Sequence, residues 1–239
     1  MRSLLRFHFL LILLGLTVSA HGQAQRPQFR PAVLGSGPES LINRIDAQDL
    51  LKKGQKDGAV MFCAVVAKSG EAMAAWTYRA MPETNALEAE LEKRLEGVKF
   101  TPAIYQHQPV DVLLFATVFF STAKPHIRIL LNQDAKELKE VTDFIAPQPV
   151  FGQDSKFSGL RPPETGPSIP LTAVVDLRLK VDRDGQLNDL QVLGEEPPLL
   201  GYGEAATENF RYAKFIPAFR NGDATESEVA QPICYKPID

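Results

Sequence analysis

The sequence predicts an α+β protein built of two tandem β-β-α-β units, each a small antiparallel sheet with a helix packed on one face. Three observations predict this. The pentapeptide KFTPA (99–103) returns 115 positions later as KFIPA (214–218). The same offset, without a gap, pairs Val60 with Val175, Val66 with Val181, Gly70 with Gly185 and Pro82 with Pro197. Strand alternation, turn residues and helix-face apolar positions fall in step with that offset.

Residues 1–22 carry Arg2 and Arg6, an apolar stretch over 7–18 and small residues around Ala20. That is the layout of a secretory signal peptide, and its apolar core is shorter than the roughly 20 residues of a membrane span. Residues 23–54 read as a leader with an N-terminal helix, poorly ordered over 23–40. The first unit then covers 55–121. Its first strand is apolar on both sides, with Val60, Phe62, Ala64 and Val66 on one and Met61, Cys63 and Val65 on the other. Its helix places Leu87, Leu91 and Leu95 on one face and closes at Gly97, where a left-handed residue is favoured. Its last strand, VDVLLFATVFF, is again apolar on both faces. A sheet with two apolar faces needs two covers. Residues 127–145 or the second unit are expected to supply the second, with a homodimer as the alternative.

Residues 122–169 connect the units. HIRILL reads as an extra strand, and DAKELKEVTDFI as a helix with Asp134 and Glu137 in capping-box spacing. The Pro/Gly/Ser-rich stretch 152–170 reads as a loop or linker. The second unit, 170–239, alternates Val175, Leu177, Leu179 and Val181 against Asp176, Arg178, Lys180 and Asp182, as a half-buried strand does. DRDGQ supplies a hairpin turn, and LNDLQVL returns as the second strand. After Pro197-Pro198, a helix places Tyr202, Ala206 and Phe210 on one face; an Asn221-Gly222 turn and a final extended run to Tyr235 follow. The repeated pentapeptide is a helix-to-strand joint. Phe100 and Phe215 fill the junction of helix and sheet, while Pro102 and Pro217 stop further helix and fix φ on the way to the last strand.

VDLRLKVDRDGQLNDLQVL, FRYAKFIPA, the NG turn and QPICYK together resemble the C-terminal domain of the TonB energy-transducer family; PQPVFG (147–152) is similar to the Pro-rich run that leads into such domains. The first unit resembles it more distantly. The resemblance implies a periplasmic protein of a diderm bacterium whose partner is a protein segment, such as that of an outer-membrane receptor in transmembrane transport. Such a segment would pair with the last strand by β-augmentation. Here that edge is 223–235, with Glu226, Val229, Gln231, Ile233 and Tyr235 as the binding residues; Pro232 and the charges there could equally protect the edge from pairing. The chain lacks the family's long spacer, and its apolar N-terminal stretch looks cleavable. The first expectation is therefore an exported binding protein of the cell envelope. The second is an anchored transducer with residues 4–18 uncleaved, and the third an enzyme whose site is hidden.

No cofactor, metal, small-molecule substrate or catalytic residue is expected. A formal charge of −3 without a basic run argues against a nucleic-acid surface. His107 and His126 read as turn and strand-start residues, and Asp182, Asp184 and Asn188 lack calcium-loop spacing. Glu195 and Glu196 are adjacent rather than opposed across a cleft, and GSGPES lacks the strand-to-helix setting of a nucleophile elbow. Cys63 and Cys234, one per unit, either bridge in an oxidising compartment or stay buried thiols.

Overall fold

The computed structural model describes residues 26–140, 143–152, 155–164 and 171–236. The signal-peptide reading of 1–22 lies outside them. Helices and antiparallel sheets are mixed along the chain, so the protein is α+β. Among the described residues no helix is long and apolar enough to cross a membrane.

Two sheets carry the architecture. In the first, strands β1 (Gly58–Val66), β2 (Ala72–Ala80), β3 (Val112–Ser121) and β4 (His126–Leu130) run antiparallel in the order β2-β1-β3-β4. In the second, β5 (Ala173–Val181), β6 (Leu187–Glu196) and β7 (Ser227–Tyr235) stand in the order β6-β5-β7. Short helices α1 (Leu41–Arg44) and α2 (Ala47–Lys52) precede the first sheet, and α3 (Asn85–Leu95) follows β2. Helix α4 (Ala135–Glu140) follows β4, and α5 (Tyr202–Phe210) follows β6. The helix-face leucines of α3 are fully or nearly fully buried, as are Tyr202, Ala206 and Phe210 of α5.

The joints sit in matching places. Phe100 N–H donates to the Gly70 carbonyl at 2.7 Å, and Phe215 N–H to the Gly185 carbonyl at 2.9 Å. Both glycines have positive φ, 89° and 78°. A Cβ on Gly70 would stand 2.3 Å from Phe100 O, and one on Gly185 only 2.0 Å from Phe215 O. Each hairpin is thus pressed against the backbone of the residue that leaves the helix. Only a glycine allows that approach.

Three expectations are corrected. Residues 26–34 do not form a loose leader: Phe29–Arg30 pairs with Ile104 and Tyr105, and Val33–Leu34 with Phe100–Thr101. The backbone of this strap completes pairings just beyond the joint, and Ala32 is fully buried. Phe144–Ile145 belong to no helix. They pair with Phe219 and Arg220, while Gln148–Pro149 pair with Phe215–Ile216. Of the stretch expected as loop or linker, the described residues 155–164 form a packed loop rather than a free linker, because Phe157 is fully buried between Phe151 (4.9 Å) and Phe210 (5.0 Å).

The two cores meet on the first sheet. Val60, Phe62, Leu87 and Leu91 pack beneath α3 in one cluster. Cys63, Tyr78, Leu113 and Phe115, on the opposite face, join Val175, Leu177, Phe210 and Phe215 in the other. The second sheet and α5 therefore supply cover for the first sheet's second face, with Phe144 and Ala146. Met61 and Val65 are half-buried against the same cluster.

Candidate functional site

Of the residues expected to bind at the last strand, only Glu226 is exposed, and it lies 3.4 Å from Lys180 in an ion pair. Val229, Gln231, Ile233 and Tyr235 are buried. Tyr235 packs against Tyr202 at 5.2 Å, and its hydroxyl accepts from Asn209 at 2.9 Å.

The outer edge of β7 is closed by polar groups. Ala230 N–H donates to Asp134 Oδ2 at 2.7 Å, and the Pro232 carbonyl accepts from the Tyr78 hydroxyl at 3.1 Å. Gln133 ties the same place to the first sheet. Its Nε2 donates to the Phe62 and Ala116 carbonyls, and its Oε1 accepts from Tyr78 and Gln231. Asp134 also caps α4 through Lys136 N–H and Glu137 N–H. The expected docking edge is thus occupied by the chain itself. In the first sheet β4 does the same by pairing along β3 from Thr117 to Ser121.

The open edge of the second sheet is β6. Among the described residues no strand pairs with its outer side, and seven of its ten residues are exposed. The register says which groups face outward. In an antiparallel ladder, successive residues turn their backbone groups to alternate sides. Ala230 and Pro232 face away from β5, so Arg178 and Asp176, paired with them, face β6. Arg178 there meets Gln191. Leu190 and Val192 consequently present N–H and C=O to solvent. Val192 and Leu193 are 41% and 46% exposed.

Beside the C-terminal end of β6 lies a cavity of about 770 Å³, lined by Val192, Glu195, Leu199, Leu200 and the first turns of α5. Leu199 is 95% exposed and has φ +64°. Gly203 lets the helix sit on the strand, since a Cβ there would meet Val192 Cγ1 at 3.1 Å and Glu195 Oε2 at 3.3 Å. Glu195 accepts from Leu200 N–H at 2.9 Å and Gly203 N–H at 2.5 Å. Partial burial pushes its carboxyl up, but these backbone donors together hold it below the usual carboxylate range. Glu195 therefore serves as the anionic cap of α5.

No family model, curated protein or solved structure matches the chain. The site must be read from its own geometry.

The remaining candidates have local roles. Cys63 and Cys234 are buried free thiols. Burial, with Cys234 nearby, pushes the Cys63 thiol well above its ordinary value of 9.0, and burial raises Cys234 too. His107 and His126 are exposed, with Nδ1 atoms 2.6 Å from the Arg26 and Lys124 carbonyls respectively. Asp182 holds the hairpin by accepting from Asp184 and Gln186 N–H. Phe100, Pro102, Phe215 and Pro217 stand at the joints; Phe100 and Phe215 are buried. Among the described residues no cluster of three or more His, Cys, Asp or Glu could hold a metal. Val192, Leu193 and Leu199 were missed by sequence reasoning, though one signal was available. Adjacent Val192 and Leu193 put apolar side chains on both faces of a strand that needs only one for its core.

Proposed function

We propose that the chain is an exported envelope protein of the TonB C-terminal-domain type, built of two tandem β-β-α-β units. It captures an extended segment of another protein by strand addition at β6. The open β6 edge carries this reading, with seven of its ten residues exposed; the chain covers the outer edges of β3 and β7 itself, and β2, which also ends its sheet, exposes only four of its nine residues. An added strand would satisfy the outward backbone groups of Leu190 and Val192. Support for the tandem units comes from the paired contacts of Gly70 with Phe100 and Gly185 with Phe215, and from straps that pair at the same offset. In keeping with the resemblance, the partner segment would be met in the periplasm, presented by an outer-membrane receptor.

Two proline substitutions test the edge. Val192→Pro deletes an outward N–H that the ladder does not use, whereas Gln191→Pro deletes one turned toward β5. Binders selected from a displayed library of extended octapeptides should bind Val192→Pro at least tenfold more weakly, while its urea unfolding stays close to that of the parent. Gln191→Pro should lose about 3 kcal/mol of stability. Equal binding by a folded Val192→Pro protein, or a library without binders, would remove β6 as the site.

A further inference from the structure

We propose that the groove between the end of β6 and the first turns of α5 is the anchor subsite of this edge, taking one large apolar side chain of a segment whose neighbouring residues are basic. The inference rests on strand addition at β6 and specifies what the added strand must carry.

Its position is the first argument. Val192 both lines the groove and turns its backbone outward, so a strand laid on the edge would run past the groove mouth. The mouth is apolar in an unusual way. Leu199 is 95% exposed and held at φ +64°, a conformation that disfavours a branched side chain. Neither folding nor packing rewards a leucine there, whereas an apolar group entering the groove would cover it together with Val192.

Charge is the second argument. Glu195 and Glu204 line the groove, and no Lys or Arg does. Glu195 already spends its carboxylate on the N–H groups that open α5, so the helix start offers nothing to an anion. Glu204 is exposed at the rim, with Glu196 on the neighbouring strand end. Basic side chains, Lys156 and Arg161, line the adjoining hollow beyond Glu204. An acidic segment would meet Glu196 and Glu204 at close range, while a lysine- or arginine-flanked one would be drawn in.

The probes are two acetylated, amidated octapeptides with a central phenylalanine, one alternating valine with lysine and the other valine with glutamate, titrated by fluorescence anisotropy. The lysine peptide should bind and the glutamate peptide should not. Leu199→Gly removes the exposed side chain at a φ that glycine accepts freely, so the fold is kept; binding should weaken about tenfold. Glu204→Lys should weaken it severalfold and flatten its salt dependence. Loss on Val192→Pro with no change on Leu199→Gly or Glu204→Lys would overturn the anchor subsite yet leave strand addition standing. Loss on the latter two with none on Val192→Pro would keep the subsite and overturn strand addition. Equal binding of both peptides, or of neither, would overturn the proposal.

Discussion

At Gly185 a methyl group has nowhere to go. It would lie 2.0 Å from the Phe215 carbonyl oxygen, which belongs to a backbone held by the joint. Gly185→Ala and Gly70→Ala should each cost about 3 kcal/mol or more in urea unfolding, combining overpacking with a strained φ. Gly97→Ala is the control: its φ is also positive, at 63°, but nothing lies within 4 Å of the added atom. It should cost only about 1 kcal/mol. Both glycines and both phenylalanines could be read from the sequence as repeated letters. Their contact could not, because the repeat aligns Gly70 with Gly185 and says nothing of Gly70 against Phe100. The thiols give a second prediction at this scale. Burial raises the folded value for Cys63 above the ordinary 9.0, so the folded chain keeps a proton that the unfolded chain sheds. This contribution to stability is complete below pH 9 and declines as pH rises above it. Iodoacetamide labelling at pH 8 should follow global unfolding, and rapid labelling of the native protein would contradict the burial.

At the scale of the element, a period-two pattern made β5 legible, continuous apolar runs β1 and β3, and the Asp-Gly turn β6; i, i+4 spacing did the same for α3 and α5. What no local pattern shows is whether an edge is open. β7 looks like a free closing strand until Asp134 and Gln133, far off in the chain, are placed against Ala230 and Gln231. Gln133→Ala takes a second donor from the carbonyls of Phe62 and Ala116, residues that also pair with each other in the ladder, loses the links to Tyr78 and Gln231 and leaves a cavity; it should cost about 3 kcal/mol. Asp134→Ala removes a helix cap and one edge bond, and should cost about 1–2 kcal/mol. Chemical denaturation of the two variants checks the order. The reverse order would mean that the cap, not the buried amide, holds the connection in place.

For the whole molecule, the two-faced strands β1 and β3 foretold a second cover, and the second sheet with α5 is part of it. The sequence left the choice among covers open because any apolar surface of the right size satisfies the pattern. The match is fixed by specific pairs: Arg79 with Asp176 in a two-bonded ion pair at 2.6 Å, and Arg220 with Glu137 at 2.7 Å. These partly exposed pairs orient the units more than they stabilise them. A chain cut to residues 143–239 would bare the outer side of β7 and the core face that Cys63, Leu113 and Phe115 cover. It should self-associate or precipitate, where the full chain stays dispersed in size-exclusion chromatography. A stable monomeric fragment would show that the units are independent.

The bond from Asp134 to Ala230 spans 96 residues, and its direction along the chain has a consequence in time. A polypeptide emerging N-terminus first presents Gln133 and Asp134 long before β7 exists. The cover is ready when the strand that requires it arrives, so a newly made chain can close that edge at once. The β6 edge, completed before β7, has no such guard among the described residues.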